Sequence, residues 1–120
     1  MFKLKRAHEK VEAEDGTRYL VDRLWPRGVA KAALKLDGWL KEVGPSDSLR
    51  RWFNHDPKKW NEFRKRYFAE LDANPDAWGP LVDSGKKGSV TLIYGARDTE
   101  HNNAVALAQY LEARSLKRTR

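Results

Sequence analysis

The sequence contains no cysteine among its 120 residues. Disulfides, thiol catalysis and thiolate metal ligands are therefore excluded, and a cysteine-free chain is typical of a reducing compartment. No apolar run approaches the length of a membrane span, and residues 1–10 are too charged to form the apolar core of a secretion signal. These absences predict a soluble, cytoplasmic protein.

Several enzyme motifs are also missing. There is neither a P-loop nor a G-x-G-x-x-G, which argues against a Walker NTPase and against a dinucleotide-binding domain of the usual type. No G-x-S-x-G is present, so a serine nucleophile is not expected. His55, His101 and Asp98 lack the spacing of a compact ligand motif, so no metal site is predicted. The identity of any cofactor stays open.

The length predicts one domain, which we assign to residues 1–114, followed by a basic, frayed tail at residues 115–120. The last seven residues carry four basic side chains, which is more than half of the net charge of +7. The tail is either a solvated terminus or a contact for nucleic acid or an acidic partner. A nucleic-acid contact would weaken steeply as salt rises.

The clearest pattern in the chain lies at residues 88–111. Residues 90–94 are a short, β-rich apolar run, which predicts a buried strand, and Gly95 ends it. Asn102 or Asn103 is then expected to cap a helix whose apolar stripe runs from Ala104 to Leu111. In open α/β sheets, ligands bind where such a strand ends beside a helix N-terminus.

The rest of the chain alternates between strand and helix patterns. Strands are predicted at residues 2–8, as a charged edge, at 17–24 and at 36–43. Residues 36–43 also fit a helical face, but Asp37-Gly38 favours a strand. Helices are predicted at residues 29–34, after a Ser46 N-cap, from Pro57 after an Asp56 N-cap, and at 76–83 with Asp76 as N-cap, before a loop at 84–88. Crossovers through helices imply a single compact α/β domain whose small, mainly parallel sheet is flanked by helices.

Charged residues follow two of the predicted strands. If the strands are parallel neighbours, Arg23 and Arg27 after one and Arg97 after the other reach the same edge of the sheet. Arginine matches the geometry of phosphate and carboxylate, so this arrangement predicts an anion-binding pocket. The alternative is that Arg23 and Arg97 pair with Asp22 and Asp98 and only brace the edge.

Other residues near these strand ends have candidate roles in chemistry. Asp22, Asp98 and His55 are the candidate catalytic groups, since carboxylates and imidazoles act as general acids, bases or orienting groups. His55 is equally a histidine that is merely exposed. Trp25 either stacks a base or ring of a ligand or packs beneath the edge of the sheet.

Four stretches resemble the YeaO-like proteins, a bacterial family with a domain of unknown function (488). They are DRLWPRG at residues 22–28, WLKEVGPS at 39–46, LRRWFNHDPKKWNEFRKRYFAEL at 49–71 and TLIYGARDTEHNNAVAL at 91–107. The resemblance implies a compact cytoplasmic domain with a Rossmann-like layered sheet and a strand at 36–43. It implies no reaction.

The same resemblance marks a functional edge. This edge consists of nine residues, which include the two candidate ligand-binding asparagines: Asp22, Arg23, Trp25, Pro26, Arg27, Arg97, Asp98, Asn102 and Asn103. Gly44 departs from the family pattern, in which an alanine is more typical. Some members of the wider group carry a cysteine in the second cluster, and no thiol mechanism of theirs operates in this chain.

Three functions are compatible with these patterns. The first is a protein that handles a phosphate, nucleotide or small anionic metabolite, as a hydrolase or transferase. The second is a nucleic-acid-binding module that uses the tail, Trp25 and the basic residues Lys58, Lys59, Lys65 and Arg66. The third is a protein-interaction domain in which the arginines serve only as braces.

Overall fold

A computed structural model describes residues 2–118, with side chains as far as residue 114. The strands are β1 (Phe2–Arg6), β2 (Thr17–Leu20), β3 (Gly38–Trp39) and β4 (Val90–Tyr94). The helices are α1 (Lys31–Leu34), α2 (Asp47–Phe53), α3 (Trp60–Ala73), α4 (Pro75–Lys87) and α5 (Asn103–Arg118). Short 3-10 turns occupy Ala13–Asp15, Lys41–Val43 and Pro57–Lys59.

The four strands form one sheet in the order β1-β4-β2-β3, and every pair is parallel. All five residues of β4 are buried, because this strand lies in the middle of the sheet and both its faces are covered. β1 lies at an edge, as predicted. The predicted fold class, a Rossmann-like α/β domain with a small parallel sheet flanked by helices, is confirmed.

Two apolar clusters cover the two faces of the sheet. Val90, Leu92 and Tyr94 join the larger cluster, which α2, α3, α4 and α5 complete. Ile93 points to the other face and packs with Leu20 and Leu34 in a smaller cluster. The alternation follows from the two-residue period of a strand. None of the helices within residues 2–118 is both long enough and apolar enough to cross a membrane.

An ion network lies at the end of the sheet where β2 begins. Asp15 and Arg18 are 4% and 3% exposed, and the Arg18 guanidinium donates to Asp15 at 2.6 Å and to the Leu34 carbonyl at 2.8 and 3.0 Å. The Lys5 ammonium lies 2.9 Å from Asp15. Burial alone would raise the pKa of Asp15, but hydrogen bonds from the Glu12 backbone, Lys5 and Arg18 lower it to about 2.

Several predicted helix starts are confirmed. Ser46 accepts a hydrogen bond from the Leu49 N–H at 3.2 Å and caps α2. Asp56 caps the turn that begins at Pro57 and leads into α3. Asn102 accepts from the Val105 N–H at 2.9 Å at the start of α5.

Other predicted boundaries are wrong. β2 ends at Leu20 rather than at residue 24, and the strand predicted at 36–43 contains only Gly38–Trp39 before the Lys41–Val43 turn. α4 includes Pro75 and continues through the predicted loop to Lys87, so Asp76 lies inside it. Packing explains the extension, because Ser84 bonds the Tyr19 hydroxyl at 3.1 Å and Gly85 packs against the Phe2 ring.

The boundary predicted at residue 114 stays a prediction. α5 continues past it to Arg118. The side chains of the predicted basic tail at 115–120, and residues 119–120 altogether, lie outside the described residues.

Candidate functional site

A cavity of about 660 Å³ opens at the carboxyl ends of β2 and β4. Its walls come from the segments after these two strands, the start of α5 and the end of α2. The predicted site residues that line it are Asp22, Arg23, Trp25, Arg27, His55, Arg97, Asp98, Asn102 and Asn103. The structure therefore brings all nine together in one opening, while their roles stay predictions.

Asp22 joins the ends of the two central strands. Its carboxylate accepts a hydrogen bond from the Gly95 N–H at 2.8 Å and another from the Asn103 amide at 3.1 Å. Burial raises the pKa of Asp22, although these two hydrogen bonds and the nearby His55 and Arg50 oppose the rise. Glycine eases this approach, because a Cβ at Gly95 would lie 3.2 Å from the carboxylate. Asp22 thus holds the edge of the sheet together.

Arg23 does not pair with Asp22, the partner that the bracing alternative assigned to it. Its guanidinium donates to the Pro45 carbonyl at 2.9 Å and to the Gly44 carbonyl at 2.8 Å. A Cβ at Gly44 would come within 2.8 Å of the Arg23 backbone nitrogen, so glycine permits this close approach. Arg23 therefore braces the cavity wall through backbone carbonyls.

Other arginines leave donors open at the cavity. Arg27 and Arg97 are exposed, and among the described residues neither has a hydrogen bond or an ion pair. Arg50 bonds Asp47 at 3.1 Å through one terminal nitrogen, while its buried Nε has no partner among the described residues. With Arg51, five arginines line the cavity against two carboxylates, Asp22 and Asp98.

Asp98 orders the turn after β4 instead of pairing with Arg97. Its carboxylate accepts from the Glu100 and His101 N–H groups at 2.9 and 3.0 Å and lies 3.0 Å from the His101 ring Nδ1. The Glu100 hydrogen bond and then the His101 ring hold the pKa of Asp98 below its ordinary value. His101 packs edge-on against Trp60 and does not line the cavity.

The two asparagines orient the start of α5. Asn102 is buried and donates to the Asp98 carbonyl at 2.8 Å while it caps the helix. Asn103 donates to the Val21 carbonyl at 3.2 Å as well as to Asp22. Their amides are thus occupied by the protein, but they place the partially positive end of a helix at the cavity.

Part of the cavity wall is apolar. Trp25 donates its indole N–H to the Val29 carbonyl at 2.7 Å and meets Trp39 edge-to-face at 5.3 Å. Phe53 and Phe63 stack at 4.3 Å and line the cavity with Pro26. The cavity is therefore cationic on one part of its surface and aromatic on another.

Two consecutive residues at the cavity have left-handed backbone conformations. Asn54 has φ of 47° and ends α2, and His55 has φ of 56°. Asparagine tolerates this region, whereas other side chains cost about 1–2 kcal/mol there. His55 is exposed and has no hydrogen bond among the described residues, so its conformation is not compensated by contacts of the imidazole.

The sequence reasoning missed several cavity residues. They are Leu24, Pro45, Arg50, Arg51, Phe53, Asn54, Phe63, Gly95 and Ala96. The Arg50-Arg51 pair immediately before a helix end at Asn54 is the signal that could have pointed to α2. Among residues 2–118, no group of three or more metal-ligating side chains is positioned to hold a metal ion.

Comparisons with known proteins identify the family. The chain is 43% identical over 109 residues to the uncharacterized protein YeaO of Escherichia coli (strain K12), which covers 91% of this chain and 95% of YeaO. It is 36% identical over 112 residues to the uncharacterized protein Rv3073c of Mycobacterium tuberculosis (strain ATCC 25618 / H37Rv), covering 93% and 94% of the two chains. No solved structure matches the chain.

A family model confirms the resemblance predicted from the four sequence stretches. The model is described as the inactive DUF488-N3 subclade, and it matches residues 1–120. The family model and the 43% identical relative together show that the chain belongs to the DUF488 family of YeaO-like proteins.

Proposed function

We propose that the protein binds a small phosphate-bearing anion in the cavity at the carboxyl end of the sheet and does not convert it. The supporting observation is the excess of arginines, five against two carboxylates. Both carboxylates already accept hydrogen bonds from the protein. Asp22 accepts from Gly95 and Asn103. Asp98 accepts from the turn that follows it. The open guanidinium groups of Arg27 and Arg97 are therefore left for an anion, and guanidinium matches phosphate well.

Binding has more support than hydrolase or transferase activity. No serine, threonine, tyrosine, lysine or cysteine lines the cavity within the described residues, so its walls offer no hydroxyl, amine or thiol nucleophile. Asp22 and Asp98 would have to break structural hydrogen bonds to move a proton. His55 is the remaining candidate acid or base. The description of the subclade as inactive agrees with this interpretation.

Arg97→Ala should weaken ligand binding without unfolding the protein, because Arg97 is exposed and has no partner among the described residues. A charge-assisted hydrogen bond contributes about 1.5–3 kcal/mol, which corresponds to roughly a ten- to hundred-fold loss of affinity. The measurement is a thermal-shift titration with pyrophosphate, ribose 5-phosphate and nucleoside monophosphates. A ligand at about 100 times its Kd stabilises the wild type by about 2.7 kcal/mol.

Lys65→Ala is the matched control, since it removes the same charge from an exposed position outside the cavity. It should respond to ligand as the wild type does. Equal responses of the Arg97 and Lys65 variants, or no response of the wild type to any phosphate compound, would contradict the proposal.

His55→Gly should make the protein more stable and its ligand affinity lower. Glycine removes the cost of a left-handed side chain, and after glycine's own entropy loss on folding the net gain is up to about 1 kcal/mol. Lys35→Gly is the control, because Lys35 has φ of 45° but lies outside the cavity. It should gain similar stability in urea unfolding and bind ligand normally. If His55→Gly binds ligand like the wild type, the imidazole takes no part in binding.

The alternatives have weaker support. Of the predicted nucleic-acid contacts, Lys59 donates to the Trp52 carbonyl and Arg66 pairs with Glu62, so these two cations are partly engaged. Salt-sensitive RNA or DNA binding with no response to small phosphate compounds would favour the nucleic-acid-binding module. A protein-interaction domain would show neither. The cytoplasm stays the proposed location, because a sequence without cysteine is typical of a reducing compartment.

A further inference from the structure

We infer that the ligand carries a flat ring beside its phosphate, so that the cavity takes a nucleotide in preference to a phosphorylated sugar or inorganic phosphate. This inference rests on the proposed function and names the ligand class of the same site. It depends on three features of the cavity: its size, its apolar floor and the way in which Trp25 is held.

The size of the cavity exceeds what a phosphate group needs. About 660 Å³ lies in the range of roughly 300–1,000 Å³ that is usual for sites of drug-sized ligands. A ligand that contacts only the arginines would leave the remaining volume to water. The rest of the ligand must therefore match the chemistry of the other wall.

That other wall is aromatic and buried. Phe53 and Phe63 are 5% and 1% exposed, so each presents only a small area to the cavity that it lines, and Pro26 lines the cavity as well. A sugar or an inorganic anion gains little from such a surface, because its hydroxyl or phosphate oxygens would lose water there without finding a donor. An apolar face of a heterocyclic ring gains from the same contact.

Trp25 provides a rigid aromatic side chain that lines the same cavity while it packs against the smaller apolar cluster. Its indole N–H is bound to the Val29 carbonyl, and its ring is set against Trp39 at 5.3 Å. Trp39 is itself fixed by a 2.7 Å hydrogen bond to the Asp22 carbonyl. The ring is therefore ordered before ligand arrives, and Arg27 follows it by two residues. Ring stacking and phosphate binding are thus available from one short segment.

The test is isothermal titration of the full chain with four probes: adenosine 5′-monophosphate, ribose 5-phosphate, adenosine and inorganic phosphate. The nucleotide should bind at least ten-fold more tightly than ribose 5-phosphate, and adenosine should bind more weakly than the nucleotide. Trp25→Leu should bring the affinity for the nucleotide down by about five- to hundred-fold, the range expected for loss of one stacked base. It should leave the affinity for ribose 5-phosphate unchanged.

Trp25→Phe keeps a ring and should retain most of the nucleotide preference, so it separates loss of stacking from loss of folding. Circular dichroism of both variants establishes that they are folded, and the wild-type probe series tests the inference even if they are not. Equal affinities of the wild type for the nucleotide and ribose 5-phosphate overturn the inference and leave the proposed function standing. Absence of binding by every probe overturns both.

Discussion

Asp15→Asn is expected to lower the free energy of unfolding by about 3–5 kcal/mol at pH 7, because it removes one partner from a buried ion network. Asparagine has nearly the same shape, but it leaves the buried Arg18 and the neighbouring Lys5 without their shared counter-charge. Arg18 cannot turn to solvent without giving up the Leu34 carbonyl. Urea unfolding followed by circular dichroism measures the change.

The pH dependence gives a second readout of the same substitution. The pKa of Asp15 is lowered from 3.8 to about 2 in the folded protein, so the unfolded chain takes up this proton first as pH falls. The stabilisation from Asp15 is therefore present above pH 4 and is lost between about pH 4 and pH 2. Asp15→Asn should flatten the stability profile in that window.

Asp47→Asn is the control for this prediction. Asp47 also has a lowered pKa, first because of its hydrogen bond from Arg50, but it is exposed and its ion pair is screened by water. Its loss should change stability little. Similar losses in the two variants would show that the buried network contributes no more than a surface pair.

Gly16→Ala is expected to destabilise the fold by about 3 kcal/mol or more. Gly16 has φ of 66° and ψ of −135°, a conformation that side chains avoid. A Cβ would also lie 2.4 Å from the Ser89 carbonyl oxygen. That oxygen accepts the Thr17 N–H at the start of β2, so it cannot move without breaking a sheet contact. The backbone strain at residue 16 and the steric overlap with Ser89 therefore both lower the free energy of unfolding.

Gly28→Ala separates the two causes. Gly28 has a similar φ of 76°, but a Cβ there would have no atom within 4 Å. Its replacement should cost only the conformational strain, about 1–2 kcal/mol. Thermal and urea unfolding of both variants give the difference, which measures the overlap with Ser89. Equal losses would mean that the Ser89 segment adjusts freely.

Local patterns predicted the parts of the fold whose signals are local. These parts are the apolar run of β4, the Asn102 cap and the apolar stripe of α5. The meeting of residues 22–27 with residues 95–98 was also predictable, because parallel strands end at one edge of a sheet. The extent of α4 was not predictable, since its last turn is held by Phe2 and Tyr19 from the other end of the chain.

The partners of the polar residues were the least predictable part of the site. One of the two alternatives paired Arg23 with Asp22 and Arg97 with Asp98. Instead, Arg23 binds the Gly44 and Pro45 carbonyls and lies 4.0 Å from Glu42. Asp98 binds the Glu100 N–H and the His101 ring. Arg50 and Arg51 were missed because their place at the cavity depends on how α2 packs. The buried network of Asp15 and Arg18 was missed because charged residues are ordinarily exposed.

The place of β4 between β1 and β2 has a consequence for how the protein is made. As the chain leaves the ribosome, β1 and β2 emerge first but have no strand to lie between them until residue 90 is available. Before that, β2 can pair only with the two residues of β3. The complete sheet can therefore form only after β4, the last of its four strands along the chain, has been synthesised.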